Sequence, residues 1–434
     1  MDARAAAVSM EIFFWVFIGL LAALELSRLA AALAVPSIPY RVLGPADGAS
    51  SPERFAQLLS AVLDTPVHRA ASVEVFVDGE RFYPAQLEAI RRAQCSIHLG
   101  AYIFKPSPIA DRFIEALTER ATAGVEVRLL LDSFGSFRMP RRRLAGLEEA
   151  GGRVAFYHPI RWNTWTESNH RNHQNLLVID GLTAFIGGAG VDLYWEGGRF
   201  GKPPWHDSVF RVTGEAVAGL QAAFADNWLE ASGELLDREL DFPLQPNDEG
   251  ALAISVNSSP SRGGASRARL LFRELIHSAQ QRIVIATPYF LPNQSAREEM
   301  IRAMSERGVK IEVLVPGRHS VPFFTRRCSR RRYGALLEAG ARIYEYEAAM
   351  MHVKTMVVDS AWSVFGSTNF DPRSFGINDE VNMAVHDPGL ARALELDFEA
   401  DVARSQEITY RAWRKRPYWE RATELLSAIF EQQQ

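Results

Sequence analysis

Two stretches of this chain carry side chains suited to chemistry on a phosphate ester. In Met351-His352-Val353-Lys354-Thr355-Met356-Val357-Val358-Asp359 the alternation reads as a strand, with His352, Lys354, Met356 and Val358 on one face. His352 can hold a proton or act as a nucleophile. Lys354 points the same way and can pair with phosphate oxygens. Asp359 ends the strand seven residues after His352. The next run, Trp362-Ser363-Val364-Phe365, leads into Gly366-Ser367-Thr368-Asn369, so Asn369 brings an amide to the same end of the sheet. A Gly-Ser turn at Ser367 lets the backbone come close to a ligand.

The pattern occurs twice. His173-Gln174-Asn175-Leu176-Leu177-Val178-Ile179-Asp180 has the same seven-residue spacing from His to Asp, and Gly187-Gly188-Ala189-Gly190 follows at the same distance as Gly366. Upstream, Gly124-Val125-Glu126-Val127 parallels Gly308-Val309-Lys310-Ile311. The repeat unit is about 150 residues, too long for a solenoid and right for a domain. One His strand from each copy would make a single site with two histidines. Aligning the copies also overlays Asp207-Ser208-Val209-Phe210-Arg211-Val212 on Glu380-Val381-Asn382-Met383-Ala384-Val385. Each acid, Asp207 or Glu380, is expected to open a strand beside its own copy's His and fix its tautomer through Nδ1, the alternative being a solvated strand end. Asp180 and Asp359 are expected to be structural, accepting turn amides.

His-x-Lys-x4-Asp followed by Gly-Ser-x-Asn is the signature of the phospholipase D superfamily. From about Val73 onward the chain resembles bacterial cardiolipin synthases in particular, through Gly366-Ser367-Thr368-Asn369-Phe370-Asp371-Pro372-Arg373-Ser374-Phe375, Asn378-Asp379-Glu380-Val381-Asn382, Thr287-Pro288-Tyr289-Phe290-Leu291-Pro292 and Phe82-Tyr83-Pro84. The second motif is complete. In the first, Asn175 stands where the family has Lys, and Gly190 where it usually has Asn. The resemblance implies His173 as nucleophile, His352 as acid and base, Lys354 as a catalytic cation, and Asn175, Gly188, Ser367 and Asn369 around the phosphate. It implies phospholipid substrates, phosphatidylglycerol first, at the cell membrane with the repeats on the cytoplasmic side. Symmetry alone cannot assign the two histidines. Losing a Lys at Asn175 removes one full charge, so the site is either supported by a neighbour such as His170 or Arg171, or weakened toward binding only.

The expected fold is α/β: two phospholipase D-like repeats, each a mixed sheet flanked by helices, packed as a pseudo-twofold pair. Strand-like runs at 73–77, 96–103, 125–131 and 154–157 alternate with helical stretches at 84–93, 109–123 and 141–150. The expected organisation is a membrane-anchor helix over 1–36, a linker over 37–72 holding one short helix near 55–63, repeats over 73–235 and 251–405 joined by a linker at 236–250, and a basic-aromatic C-terminal helix over 406–434. The apolar run at 12–24 is short for a span, whereas 12–35 is long enough; a signal peptide or a soluble helix are the other readings. The 434 residues carry a net charge of −4, which argues against a general nucleic-acid binder. The two cysteines, Cys95 and Cys328, have no metal-ligand spacing, and no cofactor or metal is expected. Basic clusters at Arg138–Arg143 and Arg326–Arg332, and the run Trp413-Arg414-Lys415-Arg416-Pro417-Tyr418-Trp419, suit contact with anionic lipid. Oligomeric state is not readable. A hydrolase, a nuclease, or a catalytically silent binding protein remain the alternatives to a transferase.

Overall fold

The computed structural model describes residues 15–21, 23–24, 42, 51–159, 169–198, 201–244, 250–260, 266–317 and 323–427. The chain divides into two compact units, residues 1–40 and 41–434. In the first, residues 15–21 and 23–24 are helical, with Trp15, Phe17 and Leu20 exposed. The rest of the expected anchor lies outside the described residues. Among the described residues no helix is long and apolar enough to cross a membrane.

In the second unit, the first copy supplies β1 (His68–Val77), β2 (Ser96–Ala101), β3 (Glu126–Asp132), β4 (Arg153–Tyr157), β5 (Asn175–Ile179), β6 (Thr183–Gly187) and β7 (Ser208–Gly214). The second supplies β8 (Ala251–Ser258), β9 (Arg282–Ala286), β10 (Lys310–Pro316), β11 (Arg342–Tyr346), β12 (Thr355–Val358), β13 (Trp362–Gly366) and β14 (Glu380–His386), and β15 (Ser405–Glu407) follows. All fifteen join in one sheet, ordered β15-β11-β10-β9-β12-β13-β14-β8-β1-β7-β6-β5-β2-β3-β4. Read outward from the central antiparallel β1–β8 pair, the two halves have the same order, which is a pseudo-twofold relation. β2-β3-β4 and β9-β10-β11 run parallel, as helical crossovers require, the inner hairpins are antiparallel, and β15 adds to β11 antiparallel at one edge. The crossover helix Pro108–Thr122 starts where Ser107 accepts the Ala110 N–H and Pro108 takes a position whose N–H needs no partner.

Alternation along the strands sorts their side chains into separate cores. Leu176 and Val178 of β5 and Val357 of β12 enter a core shared by both copies, while Leu177, Ile179, Met356 and Val358 face away into cores belonging to one copy each. In the shared core Phe210 and Phe365, one from each copy, stack at 4.0 Å. The helices Ala216–Ser232 and Pro388–Val402 add Leu220, Phe224, Leu394 and Phe398 to it. The copies are therefore fused through one core and one sheet.

Four expectations change on the structure. Residues 51–72 are not a free linker: the short helix expected near 55–63 runs Pro52–Leu63 and buries Ala56, Leu59 and Leu63 in the second copy's core, and β1 begins at His68. Residues 236–241 are docked too, with Leu236 buried and Asp241 buried 3.7 Å from His98. The helix expected at 84–93 runs Gly79–Arg92, with Pro84 inside it; it starts early because Asp78 leaves β1 hydrogen-bonded to Asp207, and only glycine fits at 79, where a Cβ would sit 2.0 Å from the Trp195 carbonyl oxygen. The C-terminal basic-aromatic run is divided: Trp413 and Arg416 turn toward the fold, while Arg414, Lys415, Tyr418 and Trp419 stay exposed. Trp413 donates to the Arg330 carbonyl at 2.6 Å with Arg416 over its ring, Arg327 pairs with Glu420 at 2.8 Å, and Arg326 pairs with Glu345 at 2.7 Å. Those arginines are committed to carboxylates of the fold rather than to a bilayer.

Candidate active site

Antiparallel pairing of β5, β6 and β7 puts the start of β5, the end of β6 and the start of β7 at one end of the sheet, and β12, β13 and β14 repeat this. The sequence reading extended the His352 strand back to Met351, but β12 begins only at Thr355. The reason is a change of partner. His352 N–H donates to His206 O at 2.7 Å, and His206 N–H donates to Met350 O at 2.9 Å, so the approach segment pairs with the other copy. The first copy does the same: His173 N–H donates to Asp379 O at 3.0 Å, and Asp379 N–H to Arg171 O at 2.9 Å.

This exchange overturns the expected pairing of acid and imidazole. Each His is bonded along the backbone to the residue just before the other copy's acid. His352 Nδ1 accordingly lies 2.8 Å from Asp207 Oδ2, and His173 Nδ1 lies 3.1 Å from Glu380 Oε2. Both acids are fully buried. Glu380 is further held by the Ser367 hydroxyl. Gly188, at the matching place, has no hydroxyl, and Trp195 Nε1 donates to Asp207 Oδ2 at 3.0 Å instead. A Cβ at 188 would meet Lys354 Nζ at 2.6 Å, so glycine there makes room for the lysine of the other copy. A second brace ties the halves: His206 lies 2.8 Å from both Asp78 and Asp401. Burial works against its charge, but the hydrogen bonds to Asp401 and Asp78 outweigh it and hold the imidazolium up to about 10.

His173 and His352 line one cavity of about 440 Å³, with Asn175, Gly188 and Asn369. Lys354 is buried behind them, donating to His352 O at 2.8 Å with its Nζ 3.0 Å from His352 Nδ1. Burial, then the Lys354 charge, pushes His352 down to about 4 despite Asp207. Burial likewise lowers Lys354 to about 8, against the pull of Asp207 and Glu380. Asn369 Oδ1 is buried without a protein partner. Asp180 and Asp359 lie outside this cavity, at the far ends of β5 and β12. Asp180 accepts the amides of Gln94, Cys95 and Ser96, and Asp359 those of Gln280, Gln281 and Arg282. Gly190 does not line it either: its carbonyl accepts from Tyr83, and a Cβ would collide with Ile103 O at 2.4 Å.

The sequence reading passed over Tyr102, Trp205 and Asp371. The Tyr102 ring stands 4.9 Å from His173 edge-on, and Trp205 lies 5.2 Å from His352. No spacing rule marks these aromatics. Asp371 could have been found, since it falls inside the motif four residues after Ser367; burial pushes its carboxyl up to about 7.

Asn175 is engaged differently from Lys354. Its Nδ2 donates to Gly188 O at 2.9 Å and its Oδ1 accepts from Tyr102 N at 3.1 Å. Asn175→Lys therefore exchanges two backbone hydrogen bonds for a charge. We expect a rise in turnover of less than about tenfold and a stability loss of roughly 1–3 kcal/mol, since two buried backbone groups lose their partner. Steady-state kinetics with a denaturant melt checks both, and an unchanged melt contradicts the bonding role. Lys354 gives a second expectation. It is cationic below about pH 8 and neutral above, so kcat/KM should decline through that range. Lys354→Arg keeps its charge, and its pH profile should lack the alkaline limb.

A pair of imidazoles, each facing a buried carboxylate and with a lysine between the halves, suits nucleophilic and acid–base chemistry on a phosphate ester. A family model described as cardiolipin synthase, PLD-like domain, matches residues 87–193 and 272–402, and the chain belongs to that family. It is similar to the probable cardiolipin synthase YwiE of Bacillus subtilis, 32% identical over 87% of this chain and 75% of that protein. It is also similar to cardiolipin synthase 1 of Bacillus anthracis, 34% identical over 83% of this chain and 72% of that protein. Among solved structures, phosphatidylserine synthase of Haemophilus influenzae shares the fold, with a TM-score of 0.64 and 16% identity over 86% of this chain and 97% of that one.

Proposed function

We propose that this chain is a phosphatidyltransferase that joins two phosphatidylglycerols into cardiolipin and releases glycerol. The reading is supported by the cavity in which His173 and His352, from different copies, meet beside Lys354, and by the similarity to cardiolipin synthases. His173 Nε2 attacks the donor phosphorus; an N–P bond forms and the P–O bond to glycerol breaks. His352 protonates the departing alkoxide. It then takes the proton of the acceptor hydroxyl, which attacks phosphorus and cleaves the N–P bond. In the empty site His352 is neutral at pH 7. The negative charge of an incoming phosphodiester opposes both burial and Lys354 and lets His352 take up the proton it delivers. Lys354 and Asn369 stabilise charge on the non-bridging oxygens. Glu380 and Asp207 orient the two imidazoles.

Lipid mass spectrometry of cells gaining or losing this protein tests the reading. New cardiolipin supports it, phosphatidic acid alone points to a hydrolase, and an unchanged lipid profile sinks it. Membrane attachment through residues 1–35 is part of the proposal. Because 1–40 is a separate unit, its removal should weaken membrane attachment and leave the melting temperature of the remainder within a few degrees. Fractionation and calorimetry of the truncated protein check this; full retention in the membrane fraction would assign the attachment to another surface.

A further inference from the structure

The turn that follows β3 has an unusual division between its two sides. On the inner side it is locked. The buried carboxylate of Asp132 accepts the Phe134 amide at 2.8 Å, the Gly135 amide at 2.9 Å and the Asn172 amide at 3.1 Å. Ser136 Oγ donates to Tyr102 O at 2.9 Å and accepts from Phe104 N at 3.0 Å. A Cβ at Gly135 would stand 2.1 Å from Tyr102 O, so the backbone is pressed against the end of β2. Ser136 and Met139 are buried. With these positions turned inward, Phe134 and Phe137 are turned outward, 55% and 66% exposed. Two phenylalanines held in water on a rigid turn lack the usual reason for being apolar.

Charge surrounds them. Arg138, Arg141 and Arg142 are exposed. Among the described residues none of the three has a carboxylate partner; Arg143, by contrast, pairs with Asp111 at 2.7 Å. Arg138 lies over the Phe137 ring at 5.3 Å. Phe134 is also part of the catalytic cavity's wall, with the Arg171 guanidinium 5.8 Å from its ring. The turn is thus the rim of that cavity on the first copy's side.

We infer that the turn over residues 133–142 is the surface on which the protein seats its cavity mouth against a bilayer carrying anionic phospholipid. Phe134 and Phe137 enter the acyl boundary, and Arg138, Arg141 and Arg142 meet the headgroup phosphates. The inference rests on the proposed function. A diacyl donor can present its phosphate to His173 while its chains stay in the membrane only if the rim touches the membrane. Three exposed arginines with no carboxylate partner among the described residues fit an anionic surface, and Phe134 continues directly into the site.

The experiment uses the full chain, so it must read local contact rather than bulk binding. A nitroxide is placed at Phe137→Cys, or at Leu182→Cys as a control beyond the opposite strand ends, both with Cys95→Ser. Phosphatidylcholine vesicles with and without phosphatidylglycerol are the probes. At 137 the label should gain collisions with oxygen and lose those with an aqueous nickel chelate when phosphatidylglycerol is present, and at 182 it should not. Replacing Arg138, Arg141 and Arg142 together with Gln should lower activity on anionic vesicles at least about tenfold, because each contributes near an anionic surface. On a short-chain donor in micelles the change should stay below about threefold. A label at 137 that remains in water on vesicles where cardiolipin is being made overturns this surface and leaves the function standing. Insertion without cardiolipin formation supports the surface and sinks the function. Protection of the label by a single-stranded oligonucleotide but not by vesicles also overturns it.

Discussion

His173→Ala is expected to lower phosphatidyl transfer by on the order of 10⁴–10⁶-fold, the range seen when a covalent nucleophile is removed from an enzyme. The decisive measurement is the covalent adduct rather than the rate. A phosphatidyl donor with a nitrophenolate leaving group needs no proton to expel it. With that donor, His352→Ala should accumulate a phosphatidyl adduct visible by intact mass, because the acceptor hydroxyl has lost its base. His173→Ala should accumulate none. The opposite assignment, an adduct on the His173→Ala protein and none on His352→Ala, would reverse the two roles, which pseudo-symmetry leaves open. No adduct with either variant or the starting protein would remove the phosphohistidine altogether.

The second large effect comes from the crossed acids. Asp207→Asn should act on His352, whose Nδ1 it faces at 2.8 Å, and Glu380→Gln on His173, at 3.1 Å. Losing the orienting carboxylate of a catalytic imidazole typically costs about 10²–10⁴-fold. The two losses should differ in kind. Asp207→Asn should be largely rescued in adduct formation by the nitrophenolate donor, since only leaving-group protonation is impaired at that step. Glu380→Gln should slow adduct formation with either donor. If Asp207→Asn slows adduct formation with both donors and Glu380→Gln is the rescued one, each acid serves its own copy's histidine and the crossed contacts are not functional.

Much of the site was legible because chemistry leaves local marks. The His-x-Lys spacing, the repeat and the Gly-Ser turn are read within ten or twenty residues. They nominated His173, His352, Asn175, Gly188 and Asn369, which now share a cavity wall. The β/α alternation fixed the strand runs well, since period-2 burial is a local signal. The basic cluster at 326–332 misled for the complementary reason. A basic cluster has the same sequence whether it faces lipid or a carboxylate, and the partners of Arg326 and Arg327, Glu345 and Glu420, come from other elements.

By itself, then, the sequence determined that two similar halves exist, that each carries one imidazole, and that one lysine is missing. The tertiary structure decided how the halves share their parts. Which acid serves which histidine depends on backbone pairing between 173 and 379 and between 206 and 352, more than 140 residues apart. Internal alignment matches equivalent positions but carries no information on which copy's equivalent is nearest in space. Once the approach to each His strand hydrogen-bonds to the other half, the neighbouring acid is delivered across the seam. Trp195 then takes up the role that Gly188 cannot fill. The active site is a property of the pair because each histidine takes its carboxylate from the other copy.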